Sequence, residues 1–235
     1  MIMAGIVAGG SGSRMGGDLP KQFLELEKRP ILVYTMERFL SSGYIDAVIV
    51  GINPIYKEHM DYLIKKYFAG NKNVYAVEGG ADRNATIRNI VSSAEKQLHL
   101  SEDDIIITHD AVRPFVTNKM ISDSINALEH CQICTAAVPM TDTVVYSENG
   151  ITADQFPDRS QLRSVQTPQT FRLASFKEVY GSIDTAELQK ATDVCSLYQR
   201  KGYEVCLIDG NSLNIKITYP CDYELAKLIA RDFDN

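Results

Sequence analysis

The stretch "IMAGIVAGGSGSRMGGDLPKQ", residues 2–22, decides how the rest of the chain is read. Residues 2–9 are almost continuously apolar, as in a strand buried on both faces of a parallel sheet. The chain then sheds side chains, with glycines at 9, 10, 12, 16 and 17, and sets Arg14 and Lys21 in the same loop. Glycine lets a backbone bend tightly and bring its N–H groups close to a phosphate. A turn of this kind after the first strand of an α/β sheet lies at the carboxyl ends of the strands, where such sheets bind ligands. A plain flexible surface turn would use the same glycines.

The alternation continues outward. Residues 46–52 ("DAVIVGI"), 73–80 ("NVYAVEGG"), 103–110 ("DDIIITHD") and 134–140 ("CTAAVPM") read as further buried strands. Between them lie helical patterns. Ile87, Ile90, Val91 and Ala94 repeat with helical spacing, as do Ile121, Ile125 and Leu128, and Pro30 can open a helix to about residue 42. Strand and helix in alternation predict an α/β fold, a doubly wound, mostly parallel sheet with right-handed crossovers. Near residue 141 the pattern changes. Residues 141–171 alternate polar and apolar side chains around Asn149-Gly150, a hairpin signal, and read as a β-arm protruding from the sheet. Its exposed strand edges need cover, which a second copy of the chain would supply as a homodimer; folding back on its own domain would also serve. Helices at about 174–181 and 190–200, a strand at 203–208 and a helix after Pro220 complete the expectation of one domain with an arm.

The bulk composition narrows the partners. At 235 residues and 45% apolar the chain can bury a sizeable core, and its net charge of -6 disfavours nucleic acid or an anionic membrane as partner. Any anionic substrate must therefore meet a local concentration of cations. No apolar run reaches the length of a membrane span, no basic leader precedes the first strand, and the five cysteines are an odd number, so a cytoplasmic location is expected. Cys131 and Cys134 form a lone C-x-x-C, which lacks the second pair a zinc site requires.

Two cations in a glycine turn can straddle a polyphosphate and stabilise charge that builds at a phosphorus in the transition state. The turn is no Walker loop, and Gly10, Gly12 and Gly16 miss the dinucleotide spacing by one residue, which counts against a dehydrogenase. "GGADRNATI", residues 79–87, sets glycines and Arg83 before a helix start, a natural anion site. "THDAVRPF", residues 108–115, ends a strand on Asp110, which suits Mg²⁺ beside phosphates, or simply a turn cap. "PDRSQLRSVQTPQTF", residues 157–171, places Arg159 in the arm, and "NIKITYPCD", residues 214–222, places Lys216 in an apolar strand.

"AGGSGSRMG…LPKQF", "GGADRN", "HDAVRPF", "QTPQTF" and "NIKIT", in that order, resemble the cytidylyltransferases that make CDP-alditols, over residues 4 to about 228. The resemblance implies a Rossmann-like nucleotidyltransferase fold and CMP transfer from CTP to an alditol phosphate. It implies that Val7, Ala8, Gly9, Gly10 and Gly12 line the CTP site. Gly80, Ala81, Asp82, Arg83, Asn84, Ala85, Thr86, Ile87 and Ala111 would line it too. Arg14 and Lys21 would stabilise the transition state and Asp110 would hold Mg²⁺. Arg159 and Lys216 would grip the alditol phosphate, Arg159 across a dimer interface, with Arg113, Thr143, Thr167 and Thr192 as further substrate contacts. "AGG", "HDAVRPF" and "IRNI" resemble the ribitol 5-phosphate branch, whose product CDP-ribitol feeds teichoic acid or a related polymer. Ala111, where that branch commonly has serine, leans to the methylerythritol 4-phosphate branch of isoprenoid synthesis. A non-catalytic nucleotide-binding regulator, or a sugar-1-phosphate nucleotidyltransferase with another base, would share the glycine turn.

Overall fold

The structure is a computed structural model describing residues 1–10, 19–184, 187–188 and 191–233. Strand β1 (Ile2–Ala8) pairs in parallel with β4 (Ala47–Ile52) on one side and β6 (Ile105–Asp110) on the other. They belong to a seven-stranded sheet, ordered β5-β4-β1-β6-β8-β7-β9. Here β5 is Val74–Glu78, β7 Ile133–Pro139, β8 Arg163–Arg172 and β9 Cys206–Asp209. β2 (Glu25–Leu26) and β3 (Arg29–Pro30) form a small separate hairpin. Successive side chains on a strand point to opposite faces. Ala4, Ile6, Val48 and Val50 therefore enter one core, and Met3, Ile49 and Ile106 the other.

Helices cover both faces, as the continuous apolar strands require. α1 (Ile31–Ser41), α2 (Lys57–Tyr67) and α4 (Asn118–Asn126) bury Met36, Phe39, Leu63 and Ile121 against the first face. α3 (Arg83–Leu98), α5 (Leu173–Ser182) and α6 (Val194–Arg200) bury Ile90, Phe176 and Tyr198 on the second. The final helix α7 (Pro220–Phe233) packs Ala226 and Ala230 against Leu26, Ile31, Phe115 and Ile217 in a third cluster.

Three expectations are corrected. Residues 163–171 are not arm: Arg163–Arg172 is a ten-residue strand inserted antiparallel between β6 and β7, buried from Gln166 to Phe171. Pro168 argues against a central strand because it cannot donate to the ladder. The register with β7 shifts between Thr135 and Ala137, so Pro168 falls in a bulge where no ladder donor is needed. The excursion is thus residues 140–162, held near its tip by a single bridge between Tyr146 and Gln155 and by Asn149 Oδ1, which accepts from the N–H groups of Ile151 and Thr152. Its apolar side chains stand in the open, Ile151 at 89% and Phe156 at 68% exposure. Residues 214–218 are not a strand either; the segment joins no ladder. Finally, α6 starts at Val194, where the Asp193 side chain accepts from the N–H of Ser196.

Candidate active site

The carboxyl ends of β1 and β6 and the turn after β5 open into one cleft of about 230 Å³. Val7 to Gly10 form one wall, Gly80 to Arg83 and Thr86 a second, Asp110 to Val112 the floor, and Lys21 and Lys216 complete it. The second wall is stitched tightly. The N–H of Gly79 donates to the Ile52 carbonyl at 2.7 Å, and the N–H of Gly80 donates to Thr86 Oγ1 at 3.0 Å. The Thr86 hydroxyl donates to the Asp82 carbonyl at 2.8 Å, while the Asp82 carboxylate accepts from the N–H of Ala85 and caps α3. A side chain at Gly80 would overlap Ala85, so only glycine lets the strand turn this sharply onto the helix. The positive end of a 16-residue helix thus faces the cleft.

Asp110 anchors the charge of the site. Its Oδ1 accepts from Arg83 Nε at 3.2 Å, and its Oδ2 lies 2.9 Å from Lys216 Nζ and 3.5 Å from Arg113 Nε. Burial alone would push the carboxyl up, yet Arg83, Lys216 and Arg113 outweigh it and hold Asp110 far below the usual carboxylate range. The carboxylate stays ionised and the three cations stay gathered around it.

A polar chain beneath Asp110 keeps it there. The Asp110 N–H donates to Thr167 Oγ1 at 3.2 Å, and that oxygen lies 3.0 Å from His109 Nδ1. The other ring nitrogen, Nε2, lies 3.0 Å from the Arg113 carbonyl. A carbonyl only accepts, so Nε2 carries the proton and Nδ1 accepts from the Thr167 hydroxyl. Burial pushes His109 down to about 4, in keeping with a neutral ring. Nearby, the fully buried Asn214 donates through Nδ2 to the Thr167 carbonyl at 2.9 Å and to Gln166 Oε1 at 3.2 Å, and its main-chain carbonyl accepts from Arg113 Nη1 at 2.8 Å. Gln166 also grips both the N–H and the carbonyl of Asn211. These amides, with the Ile217 N–H donating to the Val112 carbonyl, hold the segment that carries Lys216.

Of the residues singled out from sequence, Val7, Ala8, Gly9, Gly10, Lys21, Gly80, Ala81, Asp82, Arg83, Thr86, Asp110, Ala111 and Lys216 come together at the cleft. Gly12 and Arg14 lie outside the described residues. Ala85 contributes through its N–H to the Asp82 cap rather than to the lining. Asn84 turns away, donating to the carbonyls of Leu188 and Ala191, and Ile87 is core. Thr167 lies under the floor with its hydroxyl committed to Asp110 and His109. Arg113 reaches the site through Asp110. Arg159 donates to the Thr141 carbonyl within the excursion, and Thr143 and Thr192 are exposed away from the lining. Gln22, Val112, His109, Gln166 and Asn214 were not singled out as site residues. Each adjoins or sits inside a stretch quoted above, but burial, which gives them their roles, leaves no mark on residue type.

Among the described residues, no three His, Cys, Asp or Glu side chains gather to cage a metal ion. Asp110 offers one carboxylate whose oxygens already face cations, so a magnesium ion here would draw most of its ligands from phosphate oxygens and water. That division of ligands is the usual habit of Mg²⁺ beside nucleotides. No described helix is long and apolar enough to cross a membrane.

Residues 2–232 match the family model described as 2-C-methyl-D-erythritol 4-phosphate cytidylyltransferase. A ribitol-5-phosphate cytidylyltransferase from Streptococcus pneumoniae serotype 2 is 42% identical over 99% of this chain and 100% of its own length. Among solved structures, the 4-diphosphocytidyl-2C-methyl-D-erythritol synthase of Anaerococcus prevotii is 26% identical and superposes with a TM-score of 0.79 over 98% of each chain. The 2-C-methyl-D-erythritol 4-phosphate cytidylyltransferase of Thermus thermophilus is 26% identical, with a TM-score of 0.73 over 98% of this chain and 100% of that one.

Proposed function

The chain belongs to the 2-C-methyl-D-erythritol 4-phosphate cytidylyltransferase family, and from that premise we propose that it transfers CMP from CTP to D-ribitol 5-phosphate, giving CDP-ribitol and pyrophosphate. The observation that carries the chemistry is the convergence of the β1 turn, Lys21, the α3 N-terminus and the Asp110–Lys216 pair on one cleft. The choice of ribitol rests on the full-length likeness to the pneumococcal ribitol-5-phosphate enzyme, closer than that to the solved methylerythritol enzymes named above.

The triphosphate lies along the backbone of Val7 to Gly10, and the base is received by the Gly80–Thr86 turn. A phosphate oxygen of the alditol phosphate, already ionised, attacks the α-phosphorus in line. The bond from that phosphorus to the bridging oxygen breaks, and pyrophosphate leaves with the electron pair. No side chain has to take a proton. Lys21, with Arg14, neutralises charge gathering at the α-phosphoryl oxygens, and Lys216 holds the acceptor phosphate, so positioning and electrostatics supply the rate. Asp110 would hold a magnesium ion, which when bound screens the phosphates from one another.

The excursion of residues 140–162 gives the reading a second part: a second copy of the chain covers Tyr146, Ile151 and Phe156, and Arg159 of each arm reaches the acceptor phosphate in the other copy's cleft. The product then serves an enzyme that transfers ribitol phosphate from a cytidine diphosphate carrier into a polymer such as teichoic acid.

Pyrophosphate release with CTP and each acceptor tests the proposal. Ribitol 5-phosphate is expected to exceed methylerythritol 4-phosphate by at least about a hundredfold in kcat/KM, since a site built to hydrogen-bond one polyol rejects another that leaves its buried polar groups unpaired. The reverse preference reassigns the acceptor. Absence of turnover with both leaves a nucleotide-binding protein without the proposed activity.

A further inference from the structure

We propose that Gln22 is a positioning residue for this reaction, tying the start of the glycine turn to the backbone beside Lys21 and thereby fixing where the Lys21 ammonium stands. Gln22 is 2% exposed. Its Nε2 donates to the Ala8 carbonyl at 3.0 Å and to the Gly10 carbonyl at 3.2 Å. A primary amide has two N–H groups, and both are spent on the last residue of β1 and the second residue beyond it. The chain leaves this point at Gly10 and comes back at Lys21, so one side chain joins the two ends of the loop.

The returning end is itself rigid. Lys21–Phe23 is a 3-10 turn in which the N–H of Phe23 donates to the Pro20 carbonyl at 2.9 Å and that of Leu24 to the Lys21 carbonyl at 3.1 Å. Phe23 is buried with its ring against Tyr56 and edge-on to His59 at 4.7 Å. Lys21 is thus bracketed by Pro20 on one side and two buried anchors on the other: Gln22 sets its distance from the β1 turn, and Phe23 sets its distance from α2. Lys21 and Gly10 line the same cleft, so the span between a phosphate on the turn and the ammonium is a span Gln22 holds. A residue without amide hydrogens would also leave two carbonyls facing an apolar or repelling group.

The inference rests on the role proposed above for Lys21. Gln22→Met, equal in length and lacking donors, is compared with wild type in two backgrounds, Lys21 and Lys21→Ala, for kcat, KM of CTP and melting temperature. With Lys21 present the substitution is expected to lower kcat/KM by about tenfold or more, and in the Lys21→Ala background by less than about threefold, as for residues acting as one unit. Equal losses in both backgrounds, or a lowered melting temperature with unchanged kinetics, overturn the proposal and leave the activity standing. A wild-type protein that turns over neither acceptor sinks the functional reading and this inference together. Should Gln22→Met fail to fold, Gln22→Glu, of the same size and without amide hydrogens, carries the same comparison.

Discussion

The Thr167 hydroxyl oxygen lies 3.0 Å from His109 Nδ1, and this contact fixes a neutral ring under the charged floor of the cleft. It has a consequence for acid stability. His109 titrates near 4 in the fold, against an ordinary value of 6.5, because burial disfavours its charged form. Below about pH 6.5 the unfolded chain takes up a proton that the native ring refuses until about pH 4. Stability is complete above that window and falls as pH drops through it, by about 1.4 kcal/mol per unit and about 3 kcal/mol in all. Asp110, whose folded value is depressed, loses its contribution only below the ordinary carboxylate range. Urea midpoints from pH 7 to 5 should therefore drop for the wild type and stay nearly level for His109→Asn. Parallel curves would refute the assignment.

Lys216 is the most exposed of the three cations on Asp110, its side chain 42% open. Its replacement leaves Arg83 and Arg113 to balance the carboxylate. Lys216→Ala is expected to raise the KM of the alditol phosphate by about 10- to 100-fold, the worth of a charge-assisted hydrogen bond, and to leave the KM of CTP within about threefold. A selective rise in the KM of CTP would place Lys216 on the wrong substrate.

Asp110→Asn removes the one negative charge among three gathered cations. Leaving buried charges unbalanced costs about 3 kcal/mol or more in fully buried cases, and somewhat less here because Lys216 reaches solvent. The variant should melt lower at pH 7, and kcat should fall by about 100-fold as the cations spread apart. An unchanged melting temperature would show that the cluster is not held by this carboxylate.

Asn214 lies in no ladder, yet its amide binds the Lys216 segment to β8. Asn214→Ala strands buried partners and should cost about 1–3 kcal/mol. It should also raise the KM of the alditol phosphate several-fold, because Lys216 lies two residues on. A stability loss with an unaltered KM would mean that Ile217 and α7 alone place the lysine.

Much of this architecture could be read from residue order, and the exceptions have physical causes. β1, β4 and β6 announce themselves because strands covered on both faces must be apolar throughout. The glycines at 79 and 80 and the Asp110 terminus were legible for the same reason, since a turn and a strand end leave compositional marks. β8 was hidden by Pro168, whose missing N–H matters only if the ladder needs it there, and the bulge opposite Ala136 removes that need. Lys216 lines the cleft, but the strand expected around it does not form, because the hydrogen bonds holding its segment come from residues far away in the chain. Thr167 looked like a substrate contact for want of any sign that His109 and the Asp110 backbone would claim its hydroxyl.

The insertion of β8 joins two regions that the chain otherwise keeps apart. It is ten residues long with a bulge at Pro168, exposed where it emerges from the arm at Arg163 and buried where Thr167 props Asp110. The strand residue that leaves the arm, Arg163, and the one whose hydroxyl supports Asp110, Thr167, are therefore only four positions apart.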